Sequence, residues 1–205
     1  YLAWQVLGPS VSSPQGKYFY IRTGADYATV KSSLVDQKII SGTFFFDLMA
    51  KQIKYPDKVK AGRYQVSDGM SLLRLLRMLR SGKQAPVNFV ITKLRTREDL
   101  SQKVASNFEC DSAAFFQLLN NPESLRKYHA DSNTIMAAVI PNTYSILWNT
   151  APEKILKKLF DEKEKFWNEE RLAKASALNL SPQQVYTMAS IVEEETNAAE
   201  DKGKI

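Results

Sequence analysis

Cysteine and histidine are almost missing from this chain: Cys110 and His129 are the only residues of either kind among 205. A single cysteine excludes an intrachain disulfide, and two such ligands in all exclude a zinc site built from cysteine and histidine. One histidine also excludes His-rich catalytic clusters. No apolar run reaches the roughly 18 residues that a membrane-spanning helix needs. There is no glycine-rich phosphate loop, no GxSxG element, no metal-ligand spacing and no lysine in a cofactor-binding context. No metal and no cofactor is therefore implied. What is present is ordinary globular material, 44% hydrophobic and 24% charged, which argues against disorder. The length suffices for one sizeable core or two small ones. A net charge of +6 favours a polyanionic partner without choosing among nucleic acid, anionic lipid and an acidic polymer. The chain opens on YLAWQVLGPSV, which reads either as the trailing edge of an anchor or signal segment or as an edge strand or disordered start.

Taken in order, Lys17–Arg22 reads as a strand, aromatic and β-branched, ended by Thr23-Gly24. Asp26 or Ala25 opens a helix with Val30, Leu34, Val35 and Ile39 on one stripe. A second helix, about Thr43 to Lys54, has Phe45, Leu48, Met49 and Ile53 in register, and Ala61–Val66 is a second strand. Residues 17 to 66 are thus strand, helix, helix, strand. Ser71–Arg80 is a helix whose Leu72, Leu75, Leu76 and Leu79 face a core. Its Arg74, Arg77 and Arg80 form either a polyanion-binding stripe or a solvated face. Pro86–Ile91 is a strand, and Lys93, Arg95 and Arg97 add cations after it. Thr96 caps a helix carrying Leu100, Val104 and Phe108, and Asp111 caps the next, with Phe115, Leu118 and Leu119. Cys110 between them reads as an inert or partly buried thiol. Thr134–Trp148 is apolar but broken by Pro141, so it is a packed loop that either lines a site or connects elements. Thr150 and Glu153 form a capping box for a long helix with Ile155, Leu159, Phe166 and Trp167 buried. An alanine-rich turn follows Leu172.

The clearest helix signal is Ser181–Thr196. Ser181 is an N-cap, Pro182 suits the first turn, and Gln184 completes a capping box. Val185, Met188, Ile191 and Val192 make an apolar stripe, which Glu195 continues. Glu193 and Glu194 point away from it, by roughly 200° and 100°. Two readings of Glu195 stand. It turns out at the helix end, pairing with Lys202 or meeting solvent. Alternatively, burial against Met188, Ile191 and Val192 raises its pKa and makes it a general acid.

The block MASIVEEET resembles the signature of the YceG-like endolytic murein transglycosylases, the MltG family, where the pattern is ASI-apolar-E-x-E-T. KAGRYQVSDGMSLLRLLRMLRSGK, IPNTYSI and DQKIIS resemble further blocks of that family in the same order, so that the likeness runs from about Phe19 to Lys202. It implies an α+β chain: a membrane-proximal linker over 1–16, a LysM-like βααβ unit within 17–86, and the N-terminal part of a mostly helical catalytic domain over 87–205. It implies that Glu195 is the general acid/base and that Asn142, Tyr144, Glu193 and Thr196 contact substrate. In that chemistry one glutamate protonates the oxygen between N-acetylmuramic acid and N-acetylglucosamine. The same glutamate then assists attack by the sugar's own 6-hydroxyl, leaving a 1,6-anhydro end. One carboxylate suffices, unlike the two-carboxylate glycosidases. The partners implied are peptidoglycan glycan strands, cell-wall synthases and, through an N-terminal anchor, the outer face of the cytoplasmic membrane; nucleic acid is not implied. The resemblance has three departures. Asn142 stands where the family has Asp. ITKLRTRED lacks an acidic-glycine turn. Family members also continue past the E-x-E-T helix and carry an anchor, so the chain reads as a fragment, inactive or weak by itself. The competing readings are a glycan-binding or assembly module without catalysis and a polyanion binder using the arginines.

Overall fold

A computed structural model describes residues 8, 10–13, 16–196 and 198–204. The apolar opening Tyr1–Leu7 lies outside the described residues. The protein is α+β, and it divides into two compact units. One comprises Tyr1–Asn88 with Asn107–Glu109 and Ser145–Thr150; the other comprises Phe89–Ser106, Cys110–Tyr144 and Ala151–Ile205.

The first unit runs β1 (Tyr18–Ile21), α1 (Tyr27–Asp36), α2 (Phe44–Gln52), β2 (Gly62–Gln65) and α3 (Leu72–Ser81). The strand-helix-helix-strand order is the one the sequence predicts. β1 and β2 pair antiparallel with Phe19 opposite Tyr64 and Tyr20 opposite Arg63. The two-residue period sends Phe19, Ile21 and Tyr64 inward. Local chemistry starts the helices. The Asp26 carboxylate accepts from the Thr29 amide at 2.8 Å and the Ser71 hydroxyl from the Arg74 amide at 3.3 Å. Gly82 ends α3 at φ +74°, a left-handed cap that side-chain-bearing residues resist. Leu75, Leu76 and Leu79 are fully buried, each contributing about 1.5–3 kcal/mol through burial.

One register differs from expectation. In α2 the buried residues are Phe46, Met49 and Ala50, while Leu48 is 58% exposed. Three consecutive phenylalanines, Phe44–Phe46, allow more than one apolar stripe, and packing against the rest of the unit selects the one through Phe46.

Further along, β3 (Val87–Ile91) and β4 (Asn142–Ile146) form a second two-stranded sheet. The remaining helices are α4 (Arg97–Asn107), α5 (Ser112–Asn120), α6 (Pro122–Arg126), α7 (Pro152–Phe166), α8 (Glu169–Ala177) and α9 (Pro182–Glu195). Thr96 and Asp99 cap α4 reciprocally, at 3.0 and 3.1 Å, and Asp111 caps α5. Cys110 is half-buried, and burial pushes its thiol pKa up, as suits an unreactive group.

Three expectations are corrected here. The apolar stretch read as a loop holds a 3-10 turn, Ile135–Ala138, and then β4, which starts just after Pro141, where the missing N–H does no harm. Helix α7 is capped at Ala151 without a side-chain bond rather than at Thr150, and Pro152 opens it. Its buried face is Ile155, Leu156, Leu159 and Phe160, with Phe166 36% exposed. The alanine-rich turn is a helix, α8, whose N-cap Asn168 accepts from the Arg171 amide at 3.0 Å.

Candidate active site

Helix α9 begins as its sequence dictates. The Gln184 amide donates to the Ser181 hydroxyl at 3.2 Å, and the Ser181 amide donates to the Gln184 side chain at 2.8 Å. The helix packs against α8 and the Ile135–Ala138 turn. None of its residues is buried, and Met188 and Ile191 are each 54% exposed. The apolar stripe is therefore not a core face, and continuing it does not bury Glu195, which is exposed.

What α9 faces instead is a cavity of about 1220 Å³. Tyr186, Ala189, Ser190 and Glu193 line it from one side, spaced by three and four residues. The small side chains of Ala189 and Ser190 leave the space open. Lys93, Leu94 and Arg95, which follow β3, line it as well, as do Ile140 and Pro141 before β4. Phe166, Trp167 and the α8 residues Arg171, Lys174 and Leu178 complete the wall. The Tyr186 hydroxyl sits 3.5 Å from the Val139 carbonyl, and burial raises its pKa.

All three glutamates at the end of α9 border this cavity, in three different electrostatic settings. Glu194 is clamped by two cations: Lys93 Nζ at 2.9 Å from Oε1 and Arg95 Nη2 at 2.7 Å from Oε2. Hydrogen bonds from Lys93 and Arg95 hold its pKa below the ordinary glutamate value. Glu193 is paired with Lys202, whose hydrogen bond and charge likewise lower its pKa. Glu195 has no hydrogen-bond or ion-pair partner among the described residues. It is the last residue of α9, and Thr196 after it is extended. The pairing of Glu195 with Lys202 allowed by the sequence is thus replaced by Glu193 with Lys202, while the solvent-facing alternative for Glu195 matches the structure.

The other predicted site residues scatter. Glu193 lines the cavity with its carboxylate engaged by Lys202. Asn142 is exposed on β4, its side-chain oxygen accepting from the Thr143 amide at 2.7 Å. Thr196 is half-buried, its hydroxyl accepting from the Ala198 amide at 3.1 Å. Neither borders the cavity. Tyr144 is 1% exposed, its ring against Phe89 and its hydroxyl donating to the Ile140 carbonyl at 2.5 Å. Its side chain offers no surface to a ligand, which corrects the expectation of substrate contact: the inward phase of β4 takes it into the core.

Lys93, Arg95, Arg171, Lys174, Tyr186 and Trp167 were not predicted at the site. Their signals were slight. Lys93 and Arg95 stand two residues apart just after β3. Tyr186, Ala189, Ser190 and Glu193 repeat with helical spacing but are too mixed in polarity to register as a face.

Residues 19–205 match the profile of the YceG-like family. Among solved structures, the 2.6 Å crystal structure of a YceG-like protein from Listeria monocytogenes is similar, with a TM-score of 0.53 and 21% sequence identity over 90% of this chain. At that identity the likeness is one of fold. This chain spans 66% of the length of the Listeria chain. A comparison with curated proteins finds no match.

Proposed function

The chain belongs to the YceG-like family, and from that premise we propose that it is a lytic transglycosylase acting inside peptidoglycan glycan strands, with Glu195 as general acid/base. One observation carries the choice of residue. Of three consecutive glutamates on the cavity, two are held ionised by Lys93, Arg95 and Lys202, and a carboxyl so held is a poor proton donor. Among the described residues, Glu195 alone of the three has no cation paired with it. In the reaction its carboxyl gives a proton to the oxygen joining N-acetylmuramic acid to N-acetylglucosamine as that bond breaks. The carboxylate then takes the proton of the sugar's 6-hydroxyl as that oxygen closes on the anomeric carbon, so no water is consumed and a 1,6-anhydro end is left. Glu193 and Glu194 point away from Glu195 around the helix, which supports cleavage without a second carboxylate. Cleavage within strands would limit their length during wall synthesis. The proposal extends to action at the outer face of the cytoplasmic membrane, with a LysM-like glycan-binding role for the strand-helix-helix-strand unit and cell-wall synthases as partners. No helix among the described residues is long and apolar enough to cross a membrane.

A second reading, a glycan-binding or assembly module without catalysis, draws support from the exposure of Glu195. An exposed carboxyl stands in water, which a site that cleaves without hydrolysis has to exclude. The substitution Glu195→Gln in the full-length protein separates the two readings. With glycan strands as substrate and mass spectrometry of the products, anhydro ends are expected from the parent and none from E195Q, while strand binding is retained. Cleavage that survives E195Q would remove Glu195 as the catalyst.

A further inference from the structure

The end of the cavity formed by α8 has chemistry that the cleavage step does not use. Arg171 and Lys174 stand one turn apart on α8 and both line the cavity. Arg171 is held in place: its Nη1 donates to the Phe166 carbonyl at 2.7 Å, and its guanidinium lies 4.3 Å from the centre of the Phe166 ring. No carboxylate pairs with it among the described residues, so most of its donors are unspent. That differs from Lys93 and Arg95, which share the single Glu194 carboxylate. Among the described residues Lys174 pairs only with Glu170, at 2.7 Å with both side chains more than 70% exposed, a pairing weak enough to yield to a ligand. Trp167 and Phe166 stand beside these cations, their rings 5.5 Å apart. At about 1220 Å³ the cavity exceeds the roughly 300–1,000 Å³ of small-molecule sites, leaving room for a sugar chain with a substituent.

We propose that Arg171 and Lys174 form a carboxylate subsite, and that its ligand is the anionic peptide borne on the lactyl group of N-acetylmuramic acid, so that the protein favours peptide-bearing over denuded glycan. The inference rests on the glycan-strand reading above. A fixed, planar guanidinium is the group that reads a carboxylate through two parallel hydrogen bonds, and Lys174 adds charge without that geometry.

Calorimetric titration of this chain with two probes tests it: a glycan oligosaccharide stripped of peptide, and the same oligosaccharide carrying tetrapeptide stems. The peptide-bearing form is expected to bind roughly tenfold tighter, the worth of about one charge-assisted hydrogen bond. In R171M/K174M that preference falls away, the ratio of the two affinities being the readout. R171K keeps only part of it. K174M alone, at an exposed position, lowers the preference without touching the bond from Arg171 to Phe166, and so reports even where R171M loosens α8. Equal affinity for the two probes, or a preference that survives R171M/K174M, overturns the subsite and leaves the glycan reading standing. Absence of binding by either probe overturns both.

Discussion

Replacing Tyr144 by Phe removes one hydroxyl from a buried position and distinguishes a packing residue from a substrate contact. In the parent the hydroxyl donates to the Ile140 carbonyl at 2.5 Å, and Tyr144 and Ile140 are 1% and 8% exposed. A net hydrogen bond is worth about 0.5–1.5 kcal/mol, and an orphaned buried carbonyl moves the loss toward about 1–2 kcal/mol at neutral pH. Alkali reverses the order. Burial, aided by the charges of Glu162 and Tyr186, pushes the Tyr144 pKa up to about 12. A tyrosine in an unfolded chain titrates near 10, so the folded value is the raised one. Its stabilisation is fully present below about pH 10 and is lost as pH rises through about 12; two pH units correspond to about 2.7 kcal/mol. The variant has no such component. Tyr64, also pushed up to about 12 by burial, is present in both proteins and cancels in the difference. Y144F is therefore less stable than the parent at pH 7, and the two stability curves cross between about pH 10 and 12. Urea unfolding followed by far-ultraviolet circular dichroism across that range measures it. Parallel curves would refute the buried, hydrogen-bonded placement, and loss of glycan binding with stability intact would return Tyr144 to the substrate.

Ser181→Ala removes half of the capping box on α9 and should cost about 1 kcal/mol, seen as faster hydrogen exchange at the Gln184 amide. Leu79→Ala opens a cavity in a fully buried position of α3 and should destabilise by about 2–5 kcal/mol in urea unfolding. Lys93→Met with Arg95→Met frees Glu194, whose carboxyl titration, followed by NMR, should move up toward the ordinary glutamate value. A lowered folded pKa stabilises above the unfolded value and loses that effect as pH falls through the folded one, so parent and variant should converge in acid.

The local features were legible because their causes lie within a few residues. Asp26, Ser71, Thr96, Asp111 and Ser181 start helices by accepting from the amide three positions on, and the leucines of α3 repeat at a helical period with nothing competing. The family block around Glu195 was legible for the same reason: it is contiguous. Three things required the tertiary structure. In α2, neighbouring elements selected Phe46 over Leu48 for burial, since Phe44–Phe46 permits either. In α9, Met188 and Ile191 stay about half exposed among the described residues, so a well-formed apolar stripe lies at the surface and Glu195 with it; a stripe records what could be buried, and only packing decides whether it is. The pairing of charges depended on distance in the chain. Arg95 and Glu194 are 99 residues apart, and no local spacing announces that they meet. From the sequence came a helix and three glutamates at its end. Which of the three is left without a paired cation depends on where Lys93, Arg95 and Lys202 arrive, because a carboxyl's chemistry is set by the charges beside it in space.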